Sequence, residues 1–164
     1  MESGLKLLAR GVGETLLRRK LVLATAESCT GGWVAQVITA VPGSSQWFDR
    51  GFVTYSNAAK REMLGVRSET LERFGAVSEE VAREMAEGAL DRSHAQITLA
   101  ISGIAGPGGG TEQKPVGTVC FAWAAAGRLV TAHTAHYIGD RTAVRWQAAT
   151  QALQGVLDLL ERPN

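Results

Sequence analysis

Two cysteines, Cys29 and Cys120, are all that the chain carries. They are too few for a disulfide framework, and no Cys-x-x-Cys or Cys/His spacing offers a zinc site. No pair of carboxylates stands out for acid–base work. Neither sign of charge prevails: 17 Lys and Arg stand against 16 Asp and Glu, a net +1, with both signs scattered. The basic face or stripe of a nucleic-acid binder is therefore missing. The one basic run, Arg18-Arg19-Lys20, ends a helical pattern, where cations suit the helix dipole. No apolar run approaches the length of a membrane span, and the N-terminus is amphipathic and charged rather than a signal peptide. Repeats, low-complexity tracts and linkers are absent too. What is left is a cytoplasmic globular protein, with neither metal nor cofactor, and with neither nucleic acid nor membrane among its partners.

What is present fits one domain over residues 1–164, at 45% apolar and 20% charged content, the balance of a folded soluble chain. Leu5, Leu8, Val12 and Leu16 follow helical spacing and predict an amphipathic helix over 3–18. Leu21 to Ala26 reads as a short buried strand, and Thr30 to Ala40 as a helix stopped by Pro42-Gly43. A second strand over Gly51–Tyr55 precedes a short helix over 58–64. Ser78 is an N-cap with Glu79 and Glu80 in the first turn of a helix running to about Asp91. Ile97 to Ser102 is a third strand, with Ile97, Leu99 and Ile101 on one face. Val116–Ala124 and Leu129–Tyr137 form a hairpin around Gly127. A last helix, Arg141–Glu161, buries Ala149, Leu153, Val156 and Leu160. This order predicts an α/β fold, a three-layer α/β/α sandwich with a mixed, mostly parallel sheet of about five strands.

The order also has a geometric consequence. If the first three strands are parallel, their carboxyl ends share one edge, where open α/β sheets bind ligands. Ser28 follows strand one, Tyr55 and Lys60 follow strand two, and Ser102 with the glycine stretch follows strand three. The hairpin then returns Gly139-Asp140-Arg141 to the same edge.

Glu27-Ser28-Cys29-Thr30-Gly31-Gly32 lies at a strand-to-helix turn. A hydroxyl there sees the positive end of a helix and backbone N–H groups able to hold an oxyanion. Serine is also an ordinary N-cap at such a junction, and Cys29 is a rival nucleophile, because a helix N-terminus lowers a thiol pKa. Ser56 or Asn57 caps the next short helix and puts Lys60 in or near its first turn, the wrong end for a cation. Burial and the same dipole would lower its pKa toward the neutral amine of a general base, and Ser–Lys pairs are an alternative to Ser–His–Asp. Tyr55, at a strand end, is placed to relay a proton. A solvated lysine and a packing aromatic are the plainer readings of these two residues.

Ser102-Gly103-Ile104-Ala105-Gly106-Pro107-Gly108-Gly109-Gly110 lacks a P-loop ending and is followed by a strand, so it is neither a triphosphate loop nor a dinucleotide fingerprint. Its glycines let backbone approach a ligand and offer N–H groups to an anion or amide. Arg141 and Arg145 share a helix face at the positive end of the dipole, which a bound phosphate would explain. The alternative is Asp140 capping the helix beside two solvated arginines. His133 and His136, three apart in a strand, make a poor metal pair. His94 lies in a connection, and Trp33, Trp47, Trp123 and Trp146 read as packing residues.

At these segments the sequence resembles the CinA C-terminal domain family. The matching pieces are Ala26-Glu27-Ser28-Cys29-Thr30-Gly31-Gly32, Val41-Pro42-Gly43-Ser44-Ser45, Gly51-Phe52-Val53-Thr54-Tyr55-Ser56-Asn57, Lys60, Gly75-Ala76-Val77-Ser78 and Ser102-Gly103-Ile104-Ala105-Gly106-Pro107. They stand in family order and, with Gly139-Asp140-Arg141, cover almost the whole chain. The family's stand-alone members are nicotinamide-nucleotide amidases. The resemblance therefore implies a metal-free, cofactor-free hydrolase of a linear carboxamide, turning nicotinamide mononucleotide into nicotinate mononucleotide and ammonia in pyridine-nucleotide (NAD) recycling. It implies a Ser–Tyr–Lys catalytic set on Ser28, Tyr55 and Lys60, in a homo-oligomer. Substrate contacts are expected from Thr30, Gly31, Gly32, Ser44, Asn57, Ser102, Gly103, Ala105, Gly106, Arg141 and Arg145. Backbone N–H groups near 28–32 or 102–106 would hold the oxyanion. The two-domain members' N-terminal pyrophosphatase-type domain is not expected here. Two other readings remain: a module that binds a nucleotide without turnover, and a nucleic-acid partner in competence or repair. The first needs no nucleophile–base pair, and the near-zero charge opposes the second.

Overall fold

A computed structural model describes residues 2–127 and 130–162. The chain forms α1 (Glu2–Arg19), β1 (Leu23–Glu27), α2 (Trp33–Thr39), a 3-10 turn (Ser44–Gln46), β2 (Phe48–Val53), α3 (Asn57–Leu64), α4 (Ser68–Phe74), α5 (Glu79–Asp91), β3 (Ile97–Gly103), β4 (Thr118–Ala125), β5 (Thr131–His136) and α6 (Arg141–Glu161). One five-stranded sheet has the order β2-β1-β3-β4-β5. β1 pairs in parallel with β2 and β3, while β4 is antiparallel to both β3 and β5. Only β4 thus runs against the others, although the ladders divide evenly between the two kinds. The three inner strands are buried or nearly so along their lengths and the edges are half-exposed. That burial on both faces is why the polar side chains of β1 and β3 are small, Thr25, Thr98 and Ser102, apart from Glu27 at the end of β1.

Helices cover both faces. On one, α1, α2 and α6 pack Leu5, Val12, Leu16, Ile38 and Leu153 against Leu23, Leu99, Ile101, Phe121 and Trp123 of the sheet. The other face is lined by small side chains, Ala26, Ala100, Cys120, Ala122 and Ala124, which meet Val81, Ala82, Met85, Ala86 and Ala89 of α5. Among the described residues no helix is long and apolar enough to cross a membrane.

Several elements differ from the sequence expectation. α2 begins at Trp33 rather than Thr30, because Gly31 (φ 59°) and Gly32 (φ 99°) occupy the left-handed region that a right-handed helix excludes. β2 occupies Phe48–Val53 and stops short of Tyr55, since Phe48 rather than Gly51 opens the register with Leu23. α4 has no counterpart in the sequence reading; it is seven residues long and has no side-chain cap. α6 has the expected bounds, with Asp140 capping it through Ala143 N–H at 2.9 Å. Leu129, expected to open the fifth strand, lies outside the described residues.

Candidate active site

β1 delivers Ser28 to the carboxyl edge of the sheet, where its N–H still pairs with Ile101 O of β3. The next strand along, β2, ends at Val53, and Ser56 caps α3 by accepting from Ala59 N–H at 3.0 Å. One turn further on, Lys60 returns toward β1 instead of reaching for solvent. Its Nζ lies 3.0 Å from Ser28 Oγ, 2.9 Å from Thr54 O and 3.3 Å from Tyr55 O. Lys60 is only 1% exposed, and among the described residues it has no ion-pair partner.

Burying an unpaired ammonium carries an effective penalty of several kcal/mol, far more than the ~1 kcal/mol of an ordinary hydrogen bond. Burial accordingly holds the Lys60 pKa below that of a free lysine. The neighbouring Cys29 thiol is pushed up to about 12, also by burial, so it stays protonated and supplies no counter-charge. The neutral amine is well served at this position. Two of its N–H groups can go to the carbonyls of Thr54 and Tyr55, which leaves the lone pair for the hydroxyl proton of Ser28.

The cleft above this pair has a volume of about 260 Å³ and is lined by Ser28, Cys29, Tyr55, Asn57, Lys60, Ala76, Val77, Ser102, Gly103, Ile104, Ala105, Gly106, Gly108, Gly109 and Arg141. Larger surface grooves exist, one of about 580 Å³ lined by Arg67, Glu84, Glu87 and Arg92, but it holds no nucleophile. Gly103 has no room for a side chain: a Cβ there would lie 2.8 Å from Val119 and 3.1 Å from Cys29 Sγ and Thr118 O. Ser102 Oγ donates to Ala76 O at 2.8 Å, tying the segment before α5 to the cleft. Lys114 Nζ donates to Phe74 O at 2.6 Å and anchors the far end of the glycine loop. Tyr55 is 63% exposed, and its hydroxyl accepts from Arg141 Nη2 at 3.1 Å rather than meeting Ser28 or Lys60. Arg141 Nη1 donates to Gly106 O at 2.7 Å, so one guanidinium bridges the ends of two loops at the mouth of the cleft.

The structure does not bring every expected residue into the cleft. Thr30, Gly31 and Gly32 lie behind Ser28 in the turn. Ser44 is buried in the 3-10 turn before β2, with its N–H on Val41 O. Arg145 does not line the cleft; its guanidinium holds the carbonyls of Cys29 and Thr30, both at 3.0 Å. Glu27 has a role that the sequence pattern does not announce. Buried at the end of β1, its carboxylate accepts from Thr30 Oγ1 at 2.6 Å and from Val34 and Ala35 N–H at 3.0 Å each. It caps α2 in place of Gly32, which has no side chain to do so. An acidic residue closing a fully buried strand was the available signal, since a buried charge needs partners. Ala76 and Val77 stand in one of the segments that resemble the family, but no residue chemistry gave them a place in the cleft, and tertiary packing brings them there.

Fold and site together define an α/β protein with a buried serine–lysine pair at the carboxyl edge of its sheet. The profile of the CinA C-terminal domain family matches residues 5–160, and the chain belongs to that family. It is 58% identical over 154 residues to the nicotinamide-nucleotide amidohydrolase PncC of Escherichia coli (strain K12), covering 93% of each chain. A putative competence-damage inducible protein of Symbiobacterium thermophilum is 56% identical over an alignment of 154 positions that covers 89% of this chain and 36% of that longer one. Among solved structures, the competence/damage inducible protein CihA from Agrobacterium tumefaciens superposes with a TM-score of 0.93 at 47% identity over 96% of both chains.

Proposed function

We propose that this protein is a nicotinamide-nucleotide amidase that hydrolyses nicotinamide mononucleotide to nicotinate mononucleotide and ammonia. The observation that carries the reading is the buried Lys60 amine, 3.0 Å from Ser28 Oγ and, among the described residues, without a counter-charge. A site built only to bind a nucleotide needs no such pair. The relatedness to the Escherichia coli amidohydrolase supplies the substrate.

In this mechanism Ser28 Oγ attacks the carboxamide carbon as neutral Lys60 removes its proton. Charge develops on the amide oxygen and is held by backbone N–H groups of the nucleophile turn or of the 102–106 segment. Collapse expels the amine, which takes a proton relayed from Lys60, with Tyr55 assisting once it leaves Arg141. Ammonia departs and Ser28 carries the nicotinate mononucleotide as an ester. Water, activated by Lys60, then hydrolyses that ester. The enzyme would work as a cytoplasmic homo-oligomer, a setting that fractionation and light scattering would check.

The test is incubation of the purified protein with nicotinamide mononucleotide, following ammonia and nicotinate mononucleotide together. Equal formation of both is expected. Tight binding of the nucleotide with no ammonia released would leave a binding module and sink the amidase reading.

A further inference from the structure

Arg145 lies one turn beyond Arg141 on the same helix, yet its guanidinium is engaged elsewhere. Nε donates to Cys29 O and Nη2 to Thr30 O, each at 3.0 Å. The guanidinium carbon sits 5.6 Å from the centroid of the Trp33 ring, which backs the fork with an aromatic face. Two successive carbonyls of the nucleophile turn are thus held by one rigid, planar group.

A trans peptide points its N–H opposite its C=O. Holding the Cys29 and Thr30 carbonyls therefore sets the direction of the Thr30 and Gly31 N–H groups. The preceding peptide is set as well, because Gly31 N–H donates to Ser28 O at 3.0 Å. Three consecutive peptide planes after the nucleophile are fixed in this way. Gly31 N–H is consumed in doing so, whereas among the described residues neither Cys29 N–H nor Thr30 N–H finds a backbone acceptor. Glu27 braces the turn from the opposite side through Thr30 Oγ1 and the first amides of α2. A cation on the carbonyl side also polarises these peptides, making their N–H ends better donors.

We infer that Arg145 is a positioning residue for the hydrolysis: its two-pronged hold on Cys29 O and Thr30 O fixes the nucleophile turn so that the Cys29 amide, the one at the cleft, is aimed at the oxyanion. This rests on the reading of Ser28 as the nucleophile. It separates Arg145 from Arg141, which alone of the two lines the cleft.

The test compares wild type, Arg145→Ala and Arg145→Lys on nicotinamide mononucleotide and on nicotinamide riboside, which lacks the phosphate. Misaimed oxyanion donors should lower kcat by about 10- to 100-fold, somewhat less than outright removal of a donor. KM should stay within about threefold on both substrates, because the hold acts in the transition state. Guanidinium added to Arg145→Ala should restore part of kcat. Labelling of Ser28 by a fluorophosphonate, whose phosphoryl oxygen uses the same donors, should slow by a similar factor. A rise in KM for the mononucleotide alone would make Arg145 a phosphate ligand and overturn the proposal. Wild-type kcat and labelling rate in Arg145→Lys, which cannot span both carbonyls, would overturn it too, and that variant serves if Arg145→Ala does not fold. If the wild type releases no ammonia but labels at Ser28, the amidase reading fails alone and the labelling rates still decide Arg145. No labelling of wild-type Ser28 removes the nucleophile on which the Arg145 proposal rests and overturns it, whatever the ammonia assay shows.

Discussion

Ser28 and Cys29 are adjacent on one turn and both are buried, but the Lys60 amine lies against the hydroxyl of Ser28. The thiol is pushed up to about 12 and stays protonated, which removes the helix-terminus advantage that made it a rival from sequence. Serine is a poor nucleophile until a base takes its proton, and in the proposed mechanism that base is Lys60, 3.0 Å away. Ser28→Ala should therefore lower turnover by at least about a thousandfold while leaving substrate affinity largely intact. Cys29→Ala should keep activity within about tenfold of wild type, since only packing is lost. The reverse ranking in steady-state kinetics would make the thiol the nucleophile. Lys60 makes its own prediction. Its lowered pKa means that kcat rises with pH through a value below the ~10.4 of a free lysine. Lys60→Arg should be nearly as inactive as Lys60→Ala, because arginine keeps the charge but cannot release a proton; an active arginine variant would reduce Lys60 to an electrostatic role.

At the scale of the element, α6 shows how one helix face can serve two ends. Arg141 and Arg145 are four residues apart and share a face, as the spacing predicts, but the first turn overhangs the cleft while the second abuts the nucleophile turn. Arg141 spends donors on Gly106 O and Tyr55 Oη, and others of its five remain for a substrate phosphate. That phosphate lies far from the scissile amide, so its loss should raise KM with little change in kcat. For Arg141→Ala about ten- to hundredfold in KM is expected on the mononucleotide, equivalent to roughly 1.5–3 kcal/mol. The preference over nicotinamide riboside should vanish with it. Equal weakening of both substrates would move the anion site to the glycine loop.

For the whole molecule, the buried lysine makes stability depend on pH. The unfolded chain keeps Lys60 protonated up to about pH 10.4, and the native site gives up that proton at lower pH. Between the two values the unfolded state binds the extra proton, so stability rises with pH across that window. Relative to Lys60→Met, wild-type protein should gain in Tm as the solution is taken from about pH 7 to about pH 10. A constant difference in calorimetric Tm would show that Lys60 titrates like a free lysine. Among the described residues no three His, Cys, Asp or Glu side chains converge as metal ligands. Turnover should accordingly survive dialysis against a chelator; loss restored by one added divalent ion would refute a metal-independent mechanism.

Much of this architecture was legible because it is written locally. Asp140 followed by a long run of helix formers predicts α6 with its observed bounds. Lys60 follows from a cap at Ser56 and helical spacing, and the meeting of Ser28, Lys60, the glycine loop and Arg141 follows from parallel strands sharing an edge. Periodicity, capping and strand direction need no distant partner, so the sequence by itself determined the layers, the edge and the convergence of Ser28 and Lys60 on it. Other features depended on contacts between segments remote in the chain. β2 takes its register from Leu23 pairing with Phe48. Glu27 becomes a cap only because α2 folds back over it, and Ala76 and Val77 reach the cleft only through the packing of α5. Whether an arginine faces ligand or backbone depends on the depth at which its helix turn docks. That depth is fixed by the packing of α6 on α1 and the sheet, which no local pattern records; the tertiary structure alone decided that Arg141 faces the cleft and Arg145 the carbonyls of the nucleophile turn.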